Sequence, residues 1–395
     1  MKDSKSPPPL PYGRQNISEE DIAAVVAVLR SDFITQGPAI ARFEESVARY
    51  CGAGHAVAVS SATAALHIGA LALGLKPGDR LWTSPNTFVA SANCALYCGA
   101  RADFVDIDPR SYNLSVSGLA AKLELAAANG SLPKVLVPVH FAGQPCEMGP
   151  IRELCSRHGV RVMEDASHAV GASYRGARIG NAPGSDLTVF SFHPVKIITT
   201  GEGGMLLTDD SDLYERLLRL RSHGISRKPP SSGTVPADGP WSYAQVDLGF
   251  NYRMTDLQAA LGASQMIRLP AFLDRRRALA ARYDELLAPL PLILPWQHPD
   301  TRSAWHLYVV RPDPARTRTE RAALYASLHA QGIRAQVHYI PVHTHPWYRQ
   351  FGFKAGDFPE AERYYAGALS LPMYAGLADA DQDRVVAALK ASLAA

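Results

Sequence analysis

The sequence predicts an α/β fold with a mostly parallel sheet, followed by a smaller α+β domain. Short apolar runs such as residues 55–59 alternate with Ala- and Leu-rich helical patterns such as residues 62–73. Strands that are apolar on both faces and alternate with helices are typical of parallel sheets covered on both sides. Beyond about residue 267 the alternation gives way to helices mixed with irregularly spaced strands.

The first element is a helix that begins after Ser18. Ser18 can cap it, the acids at 19–21 suit its positive end, and Ile22, Val25, Val26 and Leu29 form its apolar stripe. The Gly-Pro at 37–38 breaks the chain before a second helix that runs to about Cys51.

The elements that follow are justified by the same two signals, which are short apolar runs for strands and longer amphipathic patterns for helices. We expect strands at 55–59, 80–83, 102–105, 135–139, 160–163, 187–192 and 205–207, with helices at 62–73, 89–97, 119–127 and 148–158. Further along we expect a helix at 251–265, strands at 307–310 and 335–338, and a final helix through Val385, Leu389 and Leu393.

Three segments follow from these patterns. Residues 1–10 are expected to be a flexible N-terminus, 11–266 a large α/β domain and 267–395 a small C-terminal α+β domain. The segment 227–240 is rich in Pro, Ser and Gly, so we expect a flexible loop there.

Composition excludes several classes of protein. A formal net charge of +3 over 395 residues argues against a dedicated nucleic-acid binder, and the basic run 275–277 is interpreted as a solvated helix face. No apolar run is long enough for a bilayer, and the first residues lack the apolar region of a secretory signal. Five cysteines, an odd number without a C-x-x-C pair, are interpreted as reduced thiols of a cytoplasmic protein.

Three histidines invite a metal hypothesis. His338, His343 and His345 lie close together in the sequence, but no carboxylate or thiolate accompanies them at a recognised ligand spacing. We therefore expect no metal site.

The most informative stretch surrounds Lys196. This lysine lies in a polar loop between two apolar runs, where an ammonium group is costly to desolvate. A desolvated lysine loses its proton readily and can form a Schiff base with a carbonyl group. The alternative is an ordinary lysine of a surface loop.

Three further features complete a chemical pattern. Residues 60–65 join a strand to a helix and can bind phosphate, or form an ordinary helix cap. Asp165 follows the carboxyl end of the strand expected at 160–163, where it can hold a heterocyclic nitrogen protonated, or serve as a turn aspartate or helix cap. Phe88 can stack on a planar ring, or belong to the core. With Lys196, these features describe a site for pyridoxal 5'-phosphate.

At these residues the sequence resembles the DegT/StrS-type sugar aminotransferases, which are fold-type-I pyridoxal-phosphate enzymes. The resemblance covers nearly the whole chain through ordered motifs at 35–38, 43–44, 61–67, 164–169, 251–254, 341–343 and 370–372. It implies a large domain with a mostly parallel seven-stranded sheet and a smaller α+β C-terminal domain.

The resemblance also implies roles for individual residues. Lys196 corresponds to the Schiff-base lysine, Asp165 to the partner of the pyridine nitrogen, His168 to a polar contact with the ring hydroxyl, and Phe88 to the ring-stacking residue. Relatives with histidine in place of the lysine act as sugar dehydratases, so Lys196 favours transamination.

The cofactor's phosphate is expected to have ligands from two subunits. Thr63, Ala64 and Ser191 correspond to phosphate ligands within the chain. Asn251 corresponds to a residue that reaches the phosphate of the neighbouring subunit. The resemblance therefore implies a homodimer with shared active sites.

Details at 11–15, 140–146 and 191–196 are similar to the branch of pseudaminic acid biosynthesis, which aminates C4 of a UDP-linked 4-keto-6-deoxy-N-acetylhexosamine with L-glutamate as donor. Another nucleotide-linked keto sugar is the alternative substrate. A non-catalytic sensor of cofactor or sugar nucleotide is the alternative class, against which intact Lys196 and Asp165 argue.

Four residues are candidates for contacts to the sugar nucleotide or to glutamate. Arg14, Arg253, His338 and His343 can bind a diphosphate, a sugar or a carboxylate. Each can equally serve as a structural ion pair or as a hydrogen-bonded loop histidine.

Overall fold

The computed structural model describes residues 8–181, 184–226, 239 and 241–394. The helices, in chain order, are α1 Glu19–Leu29, α2 Pro38–Cys51, α3 Ala62–Ala72, α4 Ala90–Tyr97, α5 Val116–Asn129, α6 Met148–Arg157, α7 Ser211–Arg221, α8 Asp256–Leu287, α9 Arg321–Ala330, α10 Pro346–Arg349, α11 Pro359–Gly367 and α12 Asp379–Ala394.

The strands alternate with these helices in the first half of the chain. They are β1 Leu10–Pro11, β2 His55–Val59, β3 Arg80–Thr83, β4 Arg101–Phe104, β5 Val135–Val137, β6 Arg161–Asp165, β7 Ser173–Tyr174, β8 Ala177–Arg178, β9 Leu187–Ser191, β10 Gly204–Thr208, β11 Ile225–Ser226, β12 Ala244–Gln245, β13 Leu292–Ile293, β14 Thr301–Arg302, β15 Tyr308–Pro312, β16 Ile333–Arg334 and β17 Leu369–Leu371.

A seven-stranded sheet organises the large part of the molecule. Its strand order is β2-β10-β9-β6-β5-β3-β4, and only β10 runs antiparallel to its neighbours. The other six strands therefore point the same way, and their carboxyl ends meet at one edge. Ligands of such sheets bind at that edge. The expected fold class is confirmed.

Apolar side chains alternate between the two faces of this sheet. In β9, Val189 belongs to one buried cluster and Phe190 to another, and Leu206 and Met205 of β10 divide in the same way. Helices cover both clusters, which explains why the central strands are apolar throughout their length rather than at every second residue.

The C-terminal part has a core of its own. Strands β13, β15 and β17 form an antiparallel sheet against which α9, α12 and the second half of α8 pack. Helix α8 belongs to both cores, since Leu269 lies in the core of the large sheet and Tyr283 in the C-terminal core. The helix is continuous across residue 267, where the sequence pattern changes.

Several local expectations are confirmed. Helix α1 begins directly after Ser18, whose side chain accepts the N–H of Asp21 in a reciprocal capping box, but Ile22 and Leu29 of its expected apolar stripe are exposed and Val28 is buried instead. Helix α2 ends at Cys51, followed by Gly52 in the left-handed conformation at φ 83°. All five cysteines are free and buried.

Two expected elements are wrong in their bounds. Residues 251–255 are not helical, because they pair as isolated bridges with other segments, and α8 begins at Asp256 with Thr255 as its cap. Residues 335–338 are not a strand. Instead β16 lies at Ile333–Arg334, and Gln336 forms a single bridge with Ser370.

The N-terminal segment and the basic run also differ from expectation. Leu10, expected in a flexible segment, is buried in the C-terminal core because β1 pairs in parallel with β16. Arg276, expected on a solvated face, is only 2% exposed and donates to the carbonyls of Trp305, His306 and Met373. The prolines at 7–9 do not prevent this pairing, since the strand begins after them.

Residues 1–7 and most of the expected loop at 227–240 lie outside the described residues. Within the part of the chain that is described, no helix combines the length and the apolar character needed to cross a bilayer. No three potential metal-ligating side chains cluster together among those residues either.

Candidate active site

A cavity of about 420 Å³ lies at the carboxyl edge of the large sheet. This volume is in the range of small-molecule sites. Its lining comes from the turns after β2, β3, β6 and β9, from the N-terminal segment, and from residues 338–339 of the C-terminal part. The lining residues are Tyr12, Ser61, Ala62, Thr63, Leu66, Thr87, Phe88, Ala90, Val139, Asp165, Ser167, His168, Ser191, His193, Val195, Lys196, Glu202, His338 and Tyr339.

Asp165 is the last residue of β6 and its carboxylate is held from two sides. Oδ2 accepts the hydroxyl of Ser91 at 2.6 Å, and Oδ1 accepts the backbone N–H of Ser167 at 3.1 Å. The Ser91 hydroxyl is in turn 2.7 Å from that of Thr87. The side chain is therefore fixed in orientation, as an acceptor aimed at a bound group must be.

Lys196 lies in the loop that leaves β9. The loop is tied at Phe192, whose carbonyl accepts the N–H of Thr200 and the hydroxyl of Thr199. The lysine is half-buried and lines the cavity. Among the described residues, no hydrogen bond or ion pair engages its amine. Burial lowers the pKa of Lys196 to about 8, although the carboxylate of Asp165 opposes this shift. At physiological pH most of the amine is still charged, but a far larger fraction is neutral than for an ordinary lysine.

The turn after β2 has the form of an anion site. Ser61 caps α3 by accepting the N–H of Ala64 at 3.1 Å, and Ala62 and Thr63 line the cavity at the first turn of the helix. The strand β10 approaches this turn so closely that a Cβ at Gly204 would lie 2.5 Å from the Ser61 carbonyl. Only glycine allows this contact, which holds the helix end at the cavity.

His168 also lines the cavity, and it lies among aromatic rings. Its Nδ1 accepts the backbone N–H of Ala142 at 3.3 Å, and its Nε2 is 3.1 Å from the hydroxyl of Tyr339. Burial and the nearby positive charge of Lys196 lower the pKa of His168 well below its usual range. The ring is therefore neutral.

Most of the expected site residues line this one cavity. They are Thr63, Phe88, Asp165, His168, Ser191, Lys196 and the substrate candidate His338. Phe88 is exposed rather than part of the core. Ala64 does not line the cavity, and its N–H is already bonded to the Ser61 hydroxyl.

Four other candidates do not line the cavity within the chain. Asn251 is exposed and bridges to Ser222, while Arg253 bridges to Val59. Arg14 is exposed, and His343 is buried with its Nε2 2.9 Å from Glu362. The geometry of His343 is that of the hydrogen-bonded loop histidine, which is the structural alternative.

Some residues of the site were missed by the sequence analysis. Ser91, Tyr12, Tyr339 and Glu202 belong to it. Tyr12 and Tyr339 each lie within or beside a motif already noted, so their position was a usable signal. Ser91 gave none, because its link to Asp165 spans 74 residues and depends on packing alone.

The donor set fits a phosphorylated pyridine aldehyde. An amine with a lowered pKa can bond the aldehyde carbon through its neutral form, a fixed carboxylate can pair with the ring nitrogen, and free N–H groups at a helix start suit a phosphate. Phe88 offers its ring to the same cavity. These groups come from four separate turns of the chain and converge on one cavity. No single motif by itself would bring them together.

Comparison with known proteins identifies the family. The chain is 41% identical over 384 residues to the spore coat polysaccharide biosynthesis protein SpsC of Bacillus subtilis, covering 96% of each protein. PseC of Helicobacter pylori, an aminotransferase involved in pseudaminic acid biosynthesis, superposes with a TM-score of 0.89 at 30% identity, covering 98% of this chain and 99% of PseC. The PLP form of Spr1654 from Streptococcus pneumoniae gives a TM-score of 0.88 at 27% identity, covering 98% and 99%.

These relatives extend over the whole architecture, both the large sheet and the C-terminal part. Their fold is that of fold-type-I pyridoxal-phosphate enzymes, and the family uses this cofactor. Residues 15–390 match the DegT/DnrJ/EryC1/StrS aminotransferase family, so the chain belongs to this family of pyridoxal-phosphate-dependent sugar aminotransferases.

Proposed function

We propose that the enzyme transfers the amino group of L-glutamate to C4 of a UDP-linked 4-keto-6-deoxy-N-acetylhexosamine, a step of pseudaminic acid biosynthesis. The observation that carries transamination is the convergence of the Lys196 amine and the fixed Asp165 carboxylate on one cavity. The similarity to PseC over 98% of the chain supports the choice of sugar.

The mechanism assigns one proton carrier to both half-reactions. When bound, pyridoxal phosphate supplies a reactive aldehyde and a ring that accepts electrons. Lys196 removes a proton from the α-carbon of glutamate, and in the second half-reaction it returns a proton at C4 of the sugar. Asp165 keeps a proton on the ring nitrogen, because a nearby negative charge favours the charged form.

The remaining lining residues are assigned to binding. Thr63 in the first turn of α3 and Ser191 at the end of β9 would hold the phosphate, and Phe88 would stack on the ring. His338 is the one proposed substrate contact of the four that also lines the cavity. Arg14 and Arg253 stay candidates for contacts made in an assembled enzyme.

A second candidate is an aminotransferase for another nucleotide-linked keto sugar. The chain is 41% identical to SpsC, a spore coat polysaccharide biosynthesis protein, and 30% identical to PseC. These identities support a sugar of a spore coat polysaccharide as strongly as they support the sugar of the first proposal. A non-catalytic sensor would not need a desolvated lysine beside a fixed carboxylate, so we regard this class as the weaker one.

We further propose a homodimer with shared active sites. Asn251 is exposed and lies outside the cavity of its own chain, as expected of a residue that serves a neighbouring subunit. Nearby large apolar side chains are also exposed, with Trp241 at 73% and Leu248 at 75%. Exposed apolar area of this kind marks interfaces.

The five free cysteines support a cytoplasmic location.

The test combines absorbance with product analysis. The purified enzyme should show a visible band of lysine-bound cofactor that bleaches with L-glutamate, whereas Lys196→Ala should show no such band. The glutamate-treated enzyme is then offered a panel of UDP- and TDP-linked 3-keto and 4-keto sugars, and the amino sugars formed are identified. Amination of another sugar in preference to the UDP-linked 4-keto-6-deoxy-N-acetylhexosamine would replace the first candidate by the second. A protein that stays colourless with added cofactor would overturn both.

A further inference from the structure

Tyr339 lines the cavity, and among the described residues the hydrogen bonding of its hydroxyl group is incomplete. Its one described partner is His168, whose Nε2 lies 3.1 Å from the Tyr339 oxygen. The ring also packs against Phe88 and Phe141, at centroid distances of 6.2 Å each. Tyr339 is therefore held in place by His168 and by aromatic neighbours at the wall of the cavity.

The direction of this hydrogen bond follows from the other nitrogen of His168. Nδ1 accepts the N–H of Ala142, and a backbone N–H can only donate. The ring is neutral, so its single proton is on Nε2 and is donated to the oxygen of Tyr339. The proton of the Tyr339 hydroxyl must then point elsewhere, and no described protein atom accepts it.

We propose that Tyr339 is a further residue of the active site, whose hydroxyl accepts from His168 and donates its own proton to an oxygen atom of the group bound in the cavity. A hydroxyl that accepts a hydrogen bond is a stronger donor in its turn. Burial raises the pKa of Tyr339 well above its usual range, so the proton stays on the oxygen.

The oxygen atom that accepts the proton of Tyr339 can belong to one of two molecules. It is either an oxygen of the cofactor ring or an oxygen of the keto sugar, and the second source rests on the proposed function. Tyr339 comes from the C-terminal part of the chain and His168 from the large sheet, 171 residues apart. The bond thus links two lining residues of the cavity that come from different parts of the chain.

The first experiment locates the proton of His168. In the holoenzyme labelled with ¹⁵N-histidine, the signal of His168, assigned by its loss in His168→Asn, should show a protonated Nε2 and an unprotonated Nδ1. In Tyr339→Phe the Nε2 signal should shift, because its acceptor is gone. A proton on Nδ1, or on both nitrogens, would overturn the proposal.

The second experiment separates the two sources of the acceptor. If the acceptor belongs to the cofactor, Tyr339→Phe should shift the pH dependence of the visible band and weaken cofactor binding about tenfold, as expected for the loss of one hydrogen bond. If it belongs to the sugar, the variant should bleach with L-glutamate at the normal rate and lose about tenfold in the sugar half-reaction alone.

Tyr364→Phe is the matched control. Tyr364 also donates its hydroxyl to the same segment, to the carbonyl of His338, but it does not line the cavity. A purely structural role of Tyr339 predicts that the two variants behave alike. That result, or an unchanged spectrum with both half-reactions unchanged, would overturn the proposal. Failure of the wild-type enzyme to aminate any sugar would refute the proposed function, yet the nitrogen signals and the visible band would still test Tyr339.

Discussion

Ser91, in helix α4, donates its hydroxyl to Oδ2 of Asp165, at the end of strand β6, over 2.6 Å. The bond ties the helix after β3 to the carboxylate proposed to hold the cofactor's ring nitrogen. Because Thr87 lies 2.7 Å from the same hydroxyl, the loop that carries Phe88 is connected to Asp165 through two side chains. The position of this carboxylate therefore depends on how helix α4 packs against the sheet.

Removal of the carboxylate should reduce the rate far more than cofactor binding. Asp165→Ala is expected to lower kcat about a thousandfold, the effect of losing a preorganised charge. Ser91→Ala should lower it about tenfold, because the carboxylate keeps one of its two partners. Steady-state kinetics and cofactor titration give both quantities, with Ser46→Ala as a control, since Ser46 bonds only to the backbone of its own helix. Normal transamination by Asp165→Ala would refute the role.

The reaction of the apoprotein with pyridoxal phosphate should depend on the neutral fraction of Lys196. Its pKa is lowered to about 8, so the rate at which the visible band forms should rise as the pH passes about 8. The titratable groups near this amine are Asp165, His168, His306 and His338. Asp165 raises the pKa of Lys196, so Asp165→Asn should move the midpoint to lower pH.

The wild-type protein and Asp165→Asn are compared at each pH, so that the titration of the free cofactor affects both measurements equally. A midpoint that moves upward in Asp165→Asn, or does not move, would contradict the proximity of the two groups.

A side chain at Gly204 should weaken cofactor binding. The Cβ of Gly204→Ala would lie 2.5 Å from the Ser61 carbonyl, so the turn that begins α3 must shift. We expect the dissociation constant of pyridoxal phosphate to rise at least about tenfold, since the phosphate loses aligned N–H groups. Gly376→Ala is the control, because its Cβ would meet only ordinary contacts at 3.5 Å. Equal affinities of the two variants would show that the turn does not bind the phosphate.

The buried pair of His140 and Glu164 should contribute to stability. His140 Nε2 is 2.5 Å from Glu164 Oε2, and both side chains are fully buried. His140→Ala would leave the carboxylate with fewer partners and is expected to lower the free energy of unfolding by about 3 kcal/mol. Denaturant titration measures this, with Arg49→Ala as the comparison. Arg49 pairs with Glu45 on the surface, where a pair contributes about 0.5 kcal/mol. Similar losses in both variants would contradict the prediction.

Mixed subunits test whether Asn251 serves the neighbouring site. Lys196→Ala and Asn251→Ala should each be defective alone. A heterodimer of the two contains one site with both residues intact, so mixing should restore about a quarter of the wild-type activity. Mixing that restores nothing, although heterodimers form, would refute the shared site.

The sequence by itself determined the large sheet, its helices and the chemistry at its edge. Apolar runs bounded by polar turns are local signals, and they predicted the loop of Lys196 and a strand at 160–163, which in the structure extends to Asp165. Carboxyl ends of parallel strands meet at one edge, so the convergence of these residues also followed from the pattern.

Tertiary structure alone decided which partners complete the site. The bonds of Ser91 to Asp165 and of His168 to Tyr339 join residues 74 and 171 positions apart, and no local periodicity encodes them. The same holds for Leu10, which pairs beside Ile333, and for Arg276, whose helix turns it toward three buried carbonyls. A helix pattern predicts that a face is buried, whereas the neighbours that cover it are set by how whole surfaces pack.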